Sequence, residues 1–110
     1  MRVNDLLDAI EATAQNGDQA VVATIVRTKG STPREVGARM VVYSNGEING
    51  TVGGGCGEAD VWSEAMEVLQ ERQPRLIEVD LLHDQDAEGG RACGGLMYVF
   101  LEPLTIPVAS

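Results

Sequence analysis

The stretch Arg39-Met40-Val41-Val42-Tyr43-Ser44-Asn45-Gly46-Glu47-Ile48-Asn49-Gly50-Thr51-Val52-Gly53-Gly54-Gly55-Cys56-Gly57-Glu58 reads as strand, turn, strand, loop and helix start in succession. The runs Arg39 to Ser44 and Glu47 to Val52 flank Asn45-Gly46, the strongest short-range signal for a two-residue hairpin turn. The second strand feeds Gly53-Gly54-Gly55-Cys56-Gly57 directly, so the sheet holds this loop at a strand end, the rigid support a binding loop requires. Glycines around a single thiol let a ligand come within contact distance of the main chain. A helix opening near Glu58 would favour an anion beside the loop and stabilise the thiolate of Cys56, through its N–H groups and positive dipole end.

Upstream of the hairpin, Ala20-Val21-Val22-Ala23-Thr24-Ile25-Val26 is a β-branched run without alternation, which predicts a central strand covered on both faces. It delivers Arg27-Thr28-Lys29-Gly30-Ser31-Thr32-Pro33-Arg34, a loop of hydroxyls and cations suited to a phosphate or carboxylate, though an ordinary polar turn has the same composition. Before the strand, Val3, Leu6, Leu7 and Ile10 recur at helical spacing up to a stop at Asn16-Gly17.

Downstream, Val61, Ala65, Val68 and Leu69 form the apolar stripe of a helix from Glu58 to about Arg72, with Glu64, Glu67 and Glu71 alongside and Pro74 barring continuation. Trp62 and Met66 beside the stripe read as core or interface filler. Leu76 to Leu81 and Leu96 to Leu101 are two more strands, the last ended by Glu102-Pro103. The acidic stretch from His83 to Gly90 between them lacks the glutamate of a calcium loop, since Gly95 stands at the twelfth position, and reads as a solvated segment. The expected fold is α+β, a mixed layer of about five strands with a hairpin at Asn45-Gly46 and two main helices. Residues 1–103 make one domain and 104–110 a tail.

At 110 residues the chain has room for one modest core, and 44% apolar with 23% charged residues is ordinary for a globular protein. A net charge of −9 speaks against nucleic-acid binding, which needs Lys and Arg to neutralise phosphates. Four of the eight basic residues, Arg27, Lys29, Arg34 and Arg39, nevertheless fall in one segment, a local positive site on an acidic protein. The sequence has no run of membrane-spanning length and no secretory signal, so the expected location is cytoplasmic and no membrane partner is expected. Cys56 and Cys93 lack zinc spacing, but each is followed by glycine, in Cys56-Gly57 and Cys93-Gly94-Gly95, a repetition that favours function over two buried thiols. The dinucleotide fingerprint and the P-loop are both absent.

Gly30-Ser31-Thr32-Pro33-Arg34, Gly37-Ala38-Arg39-Met40, Gly50-Thr51-Val52-Gly53-Gly54-Gly55-Cys56 with Glu58, and Cys93-Gly94-Gly95 followed by Val99-Phe100-Leu101-Glu102-Pro103 together resemble the XdhC/CoxI family, accessory proteins of xanthine dehydrogenase and related molybdenum hydroxylases. The resemblance covers nearly the whole chain, in family order. Many members continue into a Rossmann-like domain, so this chain resembles a stand-alone form of their N-terminal part.

The resemblance implies a cytoplasmic chaperone, a carrier rather than an enzyme, that binds the molybdenum cofactor as molybdopterin or its dinucleotide form. Such a carrier would protect the cofactor and assist its sulfuration and insertion into an apo molybdenum hydroxylase. The binding set it implies, together with the residues' chemistry, is Ser31, Thr32, Arg34, Arg39, Gly53, Gly54, Gly55, Cys56, Gly57, Cys93 and Gly94. Cys56 is the candidate molybdenum ligand or sulfur-handling thiol. The alternatives are a sulfurtransferase carrying a persulfide on Cys56, supplied by a cysteine desulfurase, and a docking subunit for a separate Rossmann-domain protein. A homodimer is a further expectation, because one small domain could hardly enclose such a cofactor.

Overall fold

A computed structural model describes residues 19–32, 34–52, 57–81 and 94–104. Its elements, in chain order, are β1 (Ala20–Lys29), β2 (Arg39–Tyr43), β3 (Ile48–Gly50), α1 (Glu58–Glu71), β4 (Arg75–Asp80) and β5 (Leu96–Leu104). The strands form one antiparallel sheet in the order β3-β2-β1-β5-β4, so β1 is central, as its apolar run predicts. Five strands and the α+β class agree with the expectation. One helix, α1, stands among the described residues in place of the expected two, and the stretch from Val3 to Ile10 lies outside them.

Alternation along each strand sorts side chains between two faces. Val21, Ala23 and Ile25 of β1, Met40 and Val42 of β2, Met97, Val99 and Leu101 of β5 and Val79 of β4 pack on one face against Val61, Ala65, Val68 and Leu69 of α1. These four helical residues are the stripe read from the 3.6-residue period, and burying them is what holds α1 on the sheet. On the opposite face Ala20, Val22 and Val41 form a smaller cluster with Tyr43 and Leu104.

The hairpin is present, but its loop has three residues where two were expected. Gly46 N–H donates to Tyr43 C=O at 2.9 Å and Tyr43 N–H to Glu47 C=O at 2.8 Å, and Gly46 has φ 88° while Asn45 stays at negative φ. This is a turn closed by a left-handed glycine, in which only the second residue of Asn-Gly takes positive φ. Asn45 Oδ1 accepts from Glu47 N–H at 2.9 Å, and Trp62 Nε1–H on α1 donates to Gly46 C=O at 3.0 Å, tying the helix to the turn.

Two strands outrun their predicted ends. β1 continues through Arg27, Thr28 and Lys29, which pair with Tyr98, Met97 and Leu96 of β5, after a bulge at Val26. β5 continues through Pro103 to Leu104, both in register with β1, so Leu104 belongs to the sheet. β4 leaves β5 at Leu101, so beyond that point β5 has a ladder on one side only, where a strand tolerates proline.

Candidate functional site

Antiparallel pairing gathers the motif segments at one end of the sheet. β1 ends there at Lys29, paired with Leu96 at the start of β5, which is also paired with Asp80 at the end of β4. β2 starts there at Arg39 and β3 ends there at Gly50, one register step apart. The loops after β1, after β3, after β4 and before β5 therefore all leave the same end.

Three glycines lock these segments together. A Cβ on Gly95 would lie 2.7 Å from Lys29 C=O and nearer still to Ser31 C=O, both backbone atoms that cannot swing aside. Gly30, at φ 73°, faces back across this contact, where a Cβ would sit 3.1 Å from Gly94 C=O. Gly95 C=O in turn accepts Leu81 N–H at 2.9 Å, and Leu81 with Val79 fills the space at Gly57, where a Cβ would meet their side chains at 2.8 and 2.7 Å. Contact thus runs from the Gly30 loop through Gly95 and Leu81 to the start of α1. At Gly57 the missing Cβ serves internal packing, a role the composition of the loop does not reveal.

Gly57 begins α1 in the left-handed conformation and brings no side chain to cap it, while its C=O accepts Val61 N–H at 3.1 Å. Glu58 and Asp60 complement the dipole in the first turn. Thr51 Oγ1–H donates to Glu58 Oε2 at 2.7 Å, joining the two chain ends that bracket residues 53–56. Sequence reasoning missed this bond, because nothing in a spacing of seven residues across a glycine loop announces it.

Ser31 and Arg34 are exposed and Thr32 is half-buried, its hydroxyl donating to Arg34 C=O at 3.0 Å. Gly94 is exposed beside them. The Ser31 hydroxyl, the Arg34 guanidinium and the open backbone form a donor set that fits an oxyanion, while the Thr32 hydroxyl is engaged by Arg34 C=O and shapes the loop. Arg39 is not brought into this set: it lines the sheet face away from α1, with Thr24, Val26 and Phe100. Gly53, Gly54, Gly55, Cys56 and Cys93 lie outside the described residues.

Charge is divided about the helix. Asp60 and Glu64 line a cleft between α1 and the edge of β4 at residues 77–80, and their carboxylates disfavour anions there. At the far end of β4, Arg75 binds Glu64 at 2.5 Å, Glu67 at 3.0 Å and Glu71 at 2.5 Å, and these carboxylates, Glu64 foremost, raise its pKa above the usual arginine range. Among the described residues, none group as three or more His, Cys, Asp or Glu able to hold a metal ion, and no helix is long and apolar enough to cross a membrane.

The sequence profile of the XdhC and CoxI family matches residues 13–80, well over half of the chain. The chain belongs to that family. It is 41% identical over 69 residues, 63% of its length, to the molybdenum cofactor insertion chaperone PaoD of Escherichia coli K12, covering 21% of that protein. It is 32% identical over 98 residues, 87% of its length, to a probable xanthine dehydrogenase subunit of Bacillus subtilis 168, covering 30% of it. The crystal structure of a xanthine dehydrogenase from Bacillus halodurans superposes with a TM-score of 0.74 at 35% identity, over 88% of this chain and 30% of that one. This XdhC/CoxI domain thus spans less than a third of each of these relatives.

Proposed function

We propose that this XdhC/CoxI domain binds the molybdenum cofactor and hands it to an apo molybdenum hydroxylase of the xanthine dehydrogenase kind, assisting sulfuration and insertion on the way. The observation that carries the reading is the meeting of the Gly30–Arg34, Gly57 and Gly94–Gly95 segments at one end of the sheet, through backbone contact at Gly30 and Gly95 and the packing of Val79 and Leu81 on Gly57. The naming of a related protein as a molybdenum cofactor insertion chaperone supports it.

In this reading Ser31 and Arg34 hold the phosphate of the cofactor, Thr32 fixes their loop through its bond to Arg34 C=O, and the backbone of Gly53, Gly54, Gly55, Gly57 and Gly94 with the positive end of α1 lies beside it. Arg39 is left out of the phosphate set because it faces away from α1. The cofactor brings the metal and its dithiolene sulfurs as cargo. Cys56, with Cys93, supplies thiol sulfur near the metal, as a ligand or during sulfuration by a cysteine desulfurase. The chain covers under a third of these relatives, and a Rossmann-like domain, on this polypeptide or another, is proposed to complete the task.

The test is anaerobic. Protein mixed with released molybdenum cofactor is passed over a sizing column, and the protein peak is assayed for molybdenum and for oxidised-pterin fluorescence. Both should co-elute, and Arg34→Ala should weaken retention about tenfold or more, the value of a charge-assisted hydrogen bond. Retention of pterin by wild type and Arg34→Ala alike would remove the assigned phosphate site. Absence of co-elution would overturn the carrier role of this chain.

A further inference from the structure

We infer that the outer edge of β4 is a docking site for an extended segment of a partner protein, rich in lysine or arginine, which adds to the sheet as a further strand. The inference stands apart from the functional reading above, because it uses none of the residues assigned to the cofactor.

β4 is a terminal strand of the sheet, so β5 takes one of its edges. Register decides which main-chain groups the other edge presents. Leu81 N–H donates to Gly95 C=O, and along an antiparallel ladder hydrogen-bonded pairs alternate with pairs that make no bond. Counting back from Leu81, the residues Val79, Ile77 and Arg75 bond to β5, whereas Leu76 and Glu78 turn their N–H and C=O outward. Among the described residues nothing bonds to those outward groups of Leu76 and Glu78. The pairing with β5 is regular along all 6 residues of β4, without the bulge or proline that blunts a strand edge.

Charge decides the occupant. A strand added here sends its side chains alternately to the two faces of the sheet. On the α1 side, those opposite Ile77 and Val79 enter a cleft of about 350 Å³ to which Asp60, Ser63 and Glu64 contribute. Asp60 is exposed there, and Glu64 is shared with Arg75. On the other side, the residue opposite Glu78 meets an exposed carboxylate, and the one opposite Leu76 meets an aliphatic side chain that is 60% exposed. Cations therefore suit consecutive positions opposite Val79, Glu78 and Ile77, and an apolar residue suits the next. Lysine and arginine also lay aliphatic stems on half-buried Ile77.

In strand addition the main-chain bonds supply affinity and the side-chain positions supply specificity. An acidic segment meets like charge at this edge, and so does a second copy of this chain, with its net charge of −9. β4 leads through Leu81 to Gly95, so an added strand runs toward the glycine-locked end and holds its parent protein beside it.

Titration of the whole chain with a blocked synthetic peptide, a run of lysines followed by valine and threonine, tests the site, with amide exchange read residue by residue. Binding is expected, with slowed exchange at the Leu76 and Glu78 amides. Methylating alternate peptide nitrogens removes the ladder donors and should weaken binding about tenfold or more. Glutamate in place of lysine in the peptide should abolish binding. Glu78→Lys, a change on an exposed strand face, should weaken it about threefold or more. Failure of the lysine peptide to bind would overturn the proposal, whether another part of this chain or a second copy covers the edge. Binding that leaves Leu76 and Glu78 exchanging as in the free chain, or that is indifferent to methylation or to Glu78→Lys, would overturn it as well, because a cation would then be held by net charge alone.

Discussion

Gly95 is where one atom has the largest consequence. A β-carbon there points into the carbonyls of Lys29, the last residue of β1, and of Ser31 in the loop that follows, so relief requires separating Gly95 from that loop and from the end of β1. Gly95→Ala should cost about 2–3 kcal/mol, the upper part of the range for overpacking at a site that cannot yield. Gly37 gives the control, because its φ of 98° strains any side chain while nothing lies within 4 Å. Gly37→Ala should therefore cost only the conformational strain, on the order of 1–2 kcal/mol. Urea denaturation of both variants decides the matter. If Gly37→Ala proves the more damaging, the close approach of Gly30 to Gly95 does not hold the site end together.

Elements show which information the sequence carries openly. The stripe of α1 was legible because its four residues satisfy a period that depends on the helix alone, and β1 was legible as central because it is uniformly apolar. What escaped depends on a partner strand. Lys29 belongs to a strand only because Leu96 offers it a ladder, and Pro103 is tolerated only because β4 has already departed. The bulge at Val26 is likewise a property of the β1–β5 pair. At the site, the glycine-rich segments were visible as motifs, whereas the bond from Thr51 to Glu58 and the packing role of Gly57 appear only in three dimensions. Arg39 shares a segment with Arg34 in sequence, yet strand alternation turns it to the sheet face away from α1.

Arg75 is another partner-dependent feature, reaching from β4 to three glutamates of α1. It is the cation that α1 itself does not place in its last turn. Arg75→Gln leaves Glu64, Glu67 and Glu71 facing one another at helical spacing, a repulsive arrangement. Its melting midpoint should fall below that of the unaltered chain in dilute buffer, and the gap should narrow as salt screens the carboxylates. A gap that stays constant from low to high salt would show that Arg75 acts through packing of its stem rather than through charge.

At the scale of the whole molecule, the sheet separates two ends with different duties. The hairpin turn at Gly46, pinned by Trp62, and the Arg75 cluster are maintained entirely by contacts within the chain. The opposite end carries the proposed cofactor site, where Gly30, Gly57, Leu81 and Gly95 are in contact as one unit. A ligand seated there stabilises the native state by mass action and suppresses local opening in the segments it touches. Hydrogen exchange with and without released molybdenum cofactor, under anaerobic conditions, should therefore show slowed exchange in peptides covering Thr28–Thr32, Gly57–Asp60 and Gly94–Leu96. Peptides covering Ser44–Glu47 and Arg72–Arg75 should exchange as before. Because the three slowed segments are far apart in sequence, simultaneous protection would identify one site and not three. Protection confined to the face carrying Val26, Leu76 and Phe100 would instead place the cofactor away from the glycine-locked end, and would overturn the assigned site.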